Sequence, residues 1–297
     1  MKNQYFGDVG DYGKYAMLRF LANNGIKIAV NWYLTPNDGS NNGKYIAYLE
    51  KNSMRRYDAE LFDLLSEMIG NGCRDVLKFE ERDVIQNAIY YHNVLDTEGM
   101  SKDEMHRYRA EWHRVALDAC ADAELVYLDP DNGAYDGEPK KTKDTMKYCY
   151  AGEIADYYNR GQNVVYYCSK GRRSFEQWEE TKSLMQRKLP DARLVVITFR
   201  KGTQRSYIFV LHKECFRKYS EIIKKFLYKW QRIFTEDFGT FGSLTGQKTG
   251  EKITLVDSKG VSVTVEETED GWVNIRFSDQ KNCSYRISIE HFISRLR

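Results

Sequence analysis

Short apolar runs separated by longer amphipathic stretches make up most of the chain. The apolar runs predict strands at residues 28–34, 76–79, 88–91, 125–128, 163–167, 194–199 and 207–211. The amphipathic stretches predict helices at residues 15–24, 44–51, 59–69, 101–121, 146–160 and 175–188. This alternation is typical of an α/β fold with a doubly wound, mostly parallel sheet. Because few residues separate the last two strands, we expect them to form an antiparallel hairpin at the sheet edge.

The alternation of apolar runs and amphipathic stretches ends near residue 235. Residues 236–250 are rich in glycine, serine and threonine, which is typical of a linker. From residue 251 onward apolar and polar positions alternate between three short turns, which predicts a four-stranded meander. We therefore expect an α/β catalytic domain at residues 1–235, a linker at 236–250 and a small β-barrel-like module at 251–297.

The composition narrows the functional classes. No apolar run approaches the roughly 20 residues that span a bilayer, and no signal-peptide pattern is visible. We therefore expect a cytoplasmic protein with no membrane partner.

The six cysteines form no CxxC pair, which argues against a zinc ribbon or a disulfide framework. The five histidines are equally dispersed, so no metal site is predicted, and the oligomeric state stays open.

The most distinctive chemistry lies in two acidic turns. Residues 129–133 read Asp-Pro-Asp-Asn-Gly and follow a buried apolar run, and the carboxyl end of such a strand is where ligands bind in α/β proteins. Clustered carboxylates are costly unless a cation or hydrogen-bond donor meets them. A plain polar bend is the alternative. A functional turn is favoured because a second acidic turn, at residues 7–15, contains Asp8, Asp11 and Lys14.

Basic segments point to a polyanionic partner even though the net charge is only +2. Two basic, glycine-containing loops follow predicted strands at residues 169–174 and 200–205. Arg172 and Arg173 in the first loop are expected to contact a nucleic-acid backbone. Residues 216–232 mix cations with aromatic side chains, which suits either an ordinary amphipathic helix or a nucleic-acid surface. The expected partner is nucleic acid, with DNA favoured over RNA.

On these motifs the chain resembles the Rossmann-type methyltransferase superfamily. Over residues 5–230 it is similar to bacterial ribosomal-RNA adenine-N6 methyltransferases, which open with a glycine-polar-x-x-Asp-x-x-Lys element like that of Gly7, Asp8, Asp11 and Lys14. Their Asp-Pro-Pro-Tyr motif falls at residues 129–132, and their aromatic pair matches Tyr166 and Tyr167. The chain also resembles uncharacterised bacterial proteins that share its Tyr-Phe-Gly-Asp and Asp-Pro-Asp-Asn-Gly patterns. The resemblance implies a Rossmann-like fold, S-adenosylmethionine as cofactor and a flipped-out target base.

Two departures from the methyltransferase pattern change the expected chemistry. Pro36 and Asp38 stand in the turn after the first strand, where a glycine-rich turn would let the backbone approach the cofactor. Asp131 and Asn132 replace the proline and the aromatic ring that would fix and stack a flipped base. A carboxylate at that place suits hydrolysis through an oxocarbenium-like transition state.

The sequence therefore predicts a cofactor-free DNA glycosylase-like hydrolase acting on a flipped-out nucleotide. By analogy, such an activity fits defence against phage DNA. Asp129 or Asp131 would be the carboxylate, Asn132 a contact to base or water, and Lys14 a cation near the leaving group or a phosphate. Further substrate contacts are predicted at Tyr5, Phe6, Asn37, Asp38 and Tyr167.

Three other functions stay open. The first is an S-adenosylmethionine-dependent nucleic-acid N-methyltransferase, with Asp129 and Asn132 accepting the amino protons. The second is a nuclease that holds Mg²⁺ between four carboxylates, those of Asp8, Asp11, Asp129 and Asp131. The third is a nucleic-acid-binding module without catalytic activity.

Overall fold

The computed structural model describes residues 1–40, 43, 45–137 and 145–237, together with five strands between residues 245 and 288. The strands up to residue 237 are β1 (Ile28–Asn31), β2 (Ile89–Tyr91), β3 (Leu125–Leu128), β4 (Gly133–Tyr135), β5 (Tyr148–Tyr150), β6 (Asn163–Ser169), β7 (Arg193–Phe199), β8 (Arg205–Leu211) and β9 (Phe234–Glu236). The helices are α1 (Val9–Asn23), α2 (Asn52–Arg55), α3 (Ala59–Gly70), α4 (Val76–Glu80), α5 (Lys102–Ala119), α6 (Ala151–Asn159), α7 (Phe175–Lys182), α8 (Leu184–Lys188) and α9 (Phe216–Lys229). Short 3₁₀ turns lie at Asn3–Tyr5, Ala47–Glu50 and Thr145–Lys147.

Seven strands form the central sheet in the order β2-β1-β3-β6-β8-β7-β9. Strands β2, β1, β3 and β6 pair in parallel, and β7 runs in the same direction because β8 is antiparallel to both of its neighbours. The expected mixed α/β fold with a mostly parallel sheet is thus confirmed. Strand β2, which follows β1 in the sequence, pairs with one edge of β1, and the next strand, β3, pairs with its opposite edge. The carboxyl ends of β1 and β3 therefore flank a crevice of the kind that binds ligands in such sheets.

Helices cover both faces of this sheet. Helices α1, α3, α4 and α9 contribute to one buried cluster, and α5, α6, α7 and α8 contribute to the other. Strand β3 shows why both layers are needed, since Leu125 and Tyr127 belong to the first cluster and Val126 and Leu128 to the second. Side chains alternate along a strand, so a strand that is apolar at every position must be covered on both sides.

The amino-terminal helix begins earlier than the sequence predicts. We expected a helix from residue 15, whereas α1 begins at Val9. The Asp8 carboxylate caps this helix, with Oδ1 accepting from Gly10 N at 2.7 Å and from Asp11 N at 2.9 Å. Aspartate at this position satisfies amide groups that have no partner inside the helix. The second acidic turn is therefore the first turn of α1, which places Asp11 and Lys14 on one side of a rigid helix.

Other local predictions are wrong for similar reasons. The strand predicted at residues 76–79 is helix α4, because the Asp75 side chain accepts from Leu77 N at 2.9 Å and starts a helical turn. The helix predicted at residues 146–160 begins only at α6, after β5 has paired with β4. The predicted helix at 175–188 is divided between α7 and α8 at Ser183. The hairpin of β7 and β8 forms as expected, but β9 occupies the sheet edge.

Five further strands form a separate antiparallel sheet in chain order. They are β10 (Thr245–Thr249), β11 (Lys252–Val256), β12 (Ser262–Glu267), β13 (Trp272–Phe277) and β14 (Ser284–Ser288). Strand β10 lies inside the segment expected to be a linker, so the meander has five strands instead of four. Residues 238–244 lie outside the described part of the chain, and the domain boundaries stay a prediction. In the ranges that the structure describes, no helix is long and apolar enough to cross a membrane.

Candidate functional site

A cavity of about 390 Å³ lies at the carboxyl ends of β3 and β6, beside the first turn of α1. The two acidic turns meet here, although they are far apart in the sequence. The predicted residues that line the cavity are Tyr5, Asp8, Asp11, Lys14, Asp38, Asp129, Asp131, Asn132 and Tyr167. Residues that the sequence did not single out also line it, among them Tyr45, Lys147, Ser169, Thr203, Arg205 and Tyr207. The strand order thus brings most of the predicted site together.

Lys14 lies at the centre of one side of the cavity. Its Nζ is 2.7 Å from Asp11 Oδ1 and 2.7 Å from Asp129 Oδ2. The rings of Tyr15 and Trp32 lie 5.0 Å and 5.5 Å from the same nitrogen. The ammonium is therefore buried between two carboxylates and two aromatic faces, each of which favours its positive charge.

Hydrogen bonds also occupy the other oxygens of these two carboxylates. Asp129 Oδ1 accepts from the Tyr127 hydroxyl at 2.7 Å. Asp11 Oδ2 accepts from Gly7 N and from the Tyr15 hydroxyl, both at 3.0 Å. Asp129 and Asp11 are consequently bound on both oxygens by the protein itself, which suits a positioning role better than direct attack on a substrate.

Burial and neighbouring charges determine the pKa values of Asp11 and Lys14. Burial raises the pKa of Asp11 to about 6, and the charges of Asp8 and Asp129 add to the effect, whereas Lys14 opposes it. Burial by itself lowers the pKa of Lys14, but the carboxylates of Asp11 and Asp129 raise it above its ordinary value. Lys14 is therefore protonated at neutral pH.

Asp131 is paired differently from Asp129. Its Oδ1 lies 3.0 Å from the amino nitrogen of Met1, which also donates to the backbone oxygens of Tyr33 at 3.1 Å and of Asp129 at 2.8 Å. Its Oδ2 is buried and has no hydrogen-bond partner in the part of the chain that the structure describes. Asp131 is thus a carboxylate of the cavity wall that the amino nitrogen of Met1 holds through one oxygen.

The amino-terminal segment fills the crevice between the ends of β1 and β3. Met1 and Lys2 are both only 4% exposed. Thr35 N donates to Met1 O at 2.9 Å, and Lys2 Nζ lies 2.5 Å from Asp38 Oδ2. The Lys2 ammonium lowers the pKa of Asp38 below its ordinary value. Protein atoms therefore occupy the place where the resemblance would put the cofactor, and Asp38 is engaged in holding them there.

Arg205 reaches the cavity from the first position of β8. Its Nη2 lies 2.6 Å from Asp8 Oδ2, so one aspartate both caps α1 and holds the guanidinium. A Cβ atom at Gly10 would collide with that guanidinium, so this position of α1 requires glycine. The sequence analysis placed Arg205 only in the basic loop at residues 200–205, and its pairing with Asp8 was not predicted.

Two predicted contacts do not reach the cavity. Phe6 is fully buried and packs against Tyr15 and Phe79, with ring centroids 6.0 Å and 5.8 Å away. Asn37 uses its side-chain oxygen to accept from Gln4 N at 3.1 Å and does not line the pocket. Both residues support the amino-terminal segment instead of facing a substrate.

The basic loops lie at the rim of the cavity because β6 and β7 end at the same sheet edge. Ser169 and Thr203, at the ends of these loops, belong to the cavity wall. Arg172 is exposed, whereas Arg173 Nη1 donates to Ser169 O at 2.5 Å and to Lys170 O at 3.3 Å. Arg172 is therefore the more exposed of the two, and Arg173, which is half-buried, stabilises the loop.

Helix α9 matches the amphipathic interpretation of residues 216–232. Phe216, Tyr219, Phe226 and Trp230 are buried in the core, and Tyr228 is the aromatic residue of the segment that solvent reaches, with 79% exposed. Aromatic rings that pack in the core are not available for base stacking. This helix therefore serves the fold.

The acidic cluster is already filled by cations of the chain. Lys14 lies between Asp11 and Asp129, and Arg205 pairs with Asp8. Within the described ranges, no group of three histidine, cysteine or acidic side chains is placed to hold a metal ion. Each of the four carboxylates in the magnesium hypothesis is paired with a cation of the chain, so Mg²⁺ would have to displace these cations.

Comparisons with known proteins add little to this geometry. The sequence matches no protein-family model and no curated protein. Among solved structures the chain is similar to protein LPL1258 of the DUF519 family from Legionella pneumophila str. Philadelphia 1. The TM-score is 0.41 and the identity 9%, over 77% of this chain and 96% of that one. A likeness at this level assigns neither family nor function.

Proposed function

We propose that this protein hydrolyses the N-glycosidic bond of a nucleotide extruded from DNA. The observation that carries the proposal is the buried Asp131 Oδ2, which lacks a hydrogen-bond partner among the described residues. An acceptor left unpaired in a buried place costs free energy, and such groups mark places where a ligand completes the bonding. A carboxylate there stabilises the positive charge that develops on a sugar as its base departs.

The reaction needs only water and the base–sugar bond. A water oxygen bonds to C1′ while the bond between C1′ and the base nitrogen breaks and leaves its electron pair on the base. A proton of that water ends on the departing base. In this scheme Asp131 faces the sugar, and Asn132, which lines the cavity, orients the water or the base. Because Asp129 is bound on both oxygens, its role is to position Lys14.

The surroundings of the pocket suit an extruded nucleotide. Tyr5, Tyr45 and Tyr167 line the cavity and provide flat apolar surfaces. The exposed Arg172 and the loop after β7 supply positive charge at the rim. Aromatic surface inside a pocket and cations around it are the combination that accommodates a flipped base and its flanking phosphates.

Methyl transfer from S-adenosylmethionine is the second candidate. The sheet order with its terminal hairpin, and an Asp-Pro pair at the end of β3, support it through the resemblance to methyltransferases. Burial of Met1 and Lys2 in the crevice opposes it, because the cofactor would have to displace them. Isothermal titration with S-adenosylmethionine separates the two, since we expect no saturable binding in the micromolar range.

The direct test uses labelled duplex DNA with ordinary bases and with the hypermodified cytosines found in phages. We expect strand cleavage only after alkali treatment, because base removal leaves an alkali-labile abasic site, and no requirement for Mg²⁺ or S-adenosylmethionine. The Asp131→Asn variant should lose this cleavage. The Asp118→Asn variant, which removes an exposed carboxylate from α5, is the matched control and should keep it.

The other outcomes are equally informative. Breaks that appear without alkali and only with Mg²⁺ would show a nuclease, and methyl incorporation from labelled cofactor would show the second candidate. Borohydride should trap no covalent complex, because an ammonium held between two carboxylates is not a nucleophile. A trapped complex that Lys14→Ala abolishes would replace hydrolysis by water with an imine mechanism.

A further inference from the structure

Strand β8 presents two hydrogen-bond donors to the same cavity. Arg205 and Tyr207 are two residues apart, so their side chains leave the same face of the strand. Both line the cavity, where Arg205 lies opposite Ser169 and Tyr207 opposite Tyr167 in the register with β6. One face of β8 therefore forms a continuous wall of the pocket.

Both side chains carry a buried polar atom that the protein does not satisfy. Arg205 Nη1 and the Tyr207 hydroxyl have no hydrogen-bond partner among the residues that the structure describes. Tyr207 is fully buried. A buried donor without a partner costs about 1–3 kcal/mol. Two such donors on one wall of a cavity indicate that a ligand with an acceptor atom completes them.

The guanidinium is held in place before any ligand arrives. Asp8 binds Nη2 at 2.6 Å, and its other oxygen is fixed by the first amide groups of α1. A Cβ atom at Gly10 would collide with the guanidinium carbon, so the guanidinium occupies the space that the missing side chain leaves on α1. Nη1 therefore keeps one direction, and a donor oriented in advance stabilises developing charge more effectively than one that must reorganise.

We propose that Arg205 and Tyr207 donate hydrogen bonds to a carbonyl oxygen of the extruded base. The substrates would then be bases that carry such an oxygen (cytosine, thymine, guanine and their modified relatives), and adenine would be disfavoured. This inference rests on the proposed function of the same pocket. When the C1′–N bond breaks, its electron pair moves onto the base and reaches the carbonyl oxygen. The positive charge of Arg205 stabilises the base at that point, and adenine offers no such oxygen.

A binding experiment tests this without bond cleavage. Fluorescence anisotropy would follow labelled single strands of about ten nucleotides, a length near one binding site, made of thymidine, cytidine, adenosine or abasic tetrahydrofuran units. The comparison is between the natural chain and Tyr207→Phe, which removes only the unpartnered hydroxyl. The matched control is Tyr166→Phe, since the Tyr166 hydroxyl is also buried and unpartnered among the described residues but belongs to the other core cluster.

We expect Tyr207→Phe to weaken binding of the thymidine and cytidine strands about three- to tenfold, the value of one hydrogen bond. Binding of the adenosine and abasic strands should not change, and Tyr166→Phe should change none of the four. Thermal unfolding of both variants should show an equal or higher Tm, because each removes an unpaired buried hydroxyl. Arg205→Lys, which keeps a cation for Asp8, should weaken the same two strands.

Two results would overturn the inference. An equal loss on all four strands would show that the acceptor is a phosphate oxygen, and unchanged binding of all four would show that the hydroxyl meets no ligand. The proposed function fails on different evidence. Absence of alkali-labile sites would reject hydrolysis even if the binding pattern holds, whereas base removal without that pattern would reject only the carbonyl contact.

Discussion

The two sides of the cavity contain similar charged residues but treat them in opposite ways. On the Lys14 side the protein satisfies each charge, because Asp11 and Asp129 enclose the ammonium and accept further hydrogen bonds. On the Arg205 side, Arg205 Nη1 and the Tyr207 hydroxyl have no partner in the described chain, and Asp131 Oδ2 elsewhere in the cavity wall has none either. Charges that are fully paired hold the structure together, whereas unpartnered polar atoms that also line a cavity are the basis of the ligand contacts proposed here.

Removing Lys14 should give the largest effect on stability. In Lys14→Met, the carboxylates of Asp11 and Asp129 would remain buried without their cation, which costs about 3–5 kcal/mol in the free energy of unfolding. Urea denaturation measures the change. The double variant with Asp129→Asn should recover part of the loss, because one of the unpaired charges is then gone. A loss below about 1 kcal/mol would show that the cluster is solvated and of little structural importance.

Replacing Asp131 should separate function from stability. Asp131→Asn should lower the rate of base removal by about a hundredfold or more, since the developing charge on the sugar loses its carboxylate. Its free energy of unfolding should fall less than that of Asp129→Asn, because only Oδ1 has a partner, the amino nitrogen of Met1, and the amide oxygen of asparagine can keep that contact. Asp129→Asn gives the contrast, with a clear loss of stability through Lys14 and Tyr127. Equal losses of stability in the two variants would show that the fold depends on Asp131 as much as on Asp129.

The Asp11 carboxyl should make stability depend on pH. Its pKa is raised to about 6 from the ordinary value of 3.8 that applies in the unfolded chain. Between these values the folded protein binds more protons than the unfolded chain, so the free energy of unfolding falls as the pH rises. The group contributes at most about 3 kcal/mol to this change. Denaturation curves of the natural chain and of Asp11→Asn, compared from about pH 4 to about pH 7, isolate the contribution. If the free energy of unfolding changed with pH in the same way in both proteins, Asp11 would not be the source of the pH dependence.

Replacing Arg172, at the rim of the cavity, should have the smallest effect of these changes, and the effect should be on DNA binding. Because its side chain is exposed, Arg172→Ala should weaken DNA binding for all sequences alike and reduce the slope of log affinity against log salt by about one unit. Arg173→Ala is the control, since its guanidinium is bound to the loop and should change the slope less. A slope that Arg172→Ala leaves unchanged would show that this side of the pocket does not face the phosphates.

Local patterns were sufficient wherever local chemistry decides the structure. The apolar run at β3 and the amphipathic stretch at residues 101–121 predict those elements closely, because burial on two faces and helical periodicity are properties of nearby residues. The same reasoning failed at α4, where three apolar residues among four suit a strand but Asp75 begins a helical turn. Short segments carry too few periodic positions to distinguish the two structures.

The sequence by itself determined the α/β class and the presence of two acidic turns, whose residues line one cavity. It could not show which carboxylate stays available, because that depends on partners distant in the sequence. Lys14 meets Asp129 across 115 residues, and Arg205 meets Asp8 across 197. These contacts exist because β3 lies beside β1 and β8 enters the sheet next to β6. Strand order follows from packing of the whole core. Only the tertiary structure could therefore show which charged groups are paired and which polar atoms have no partner in the described chain.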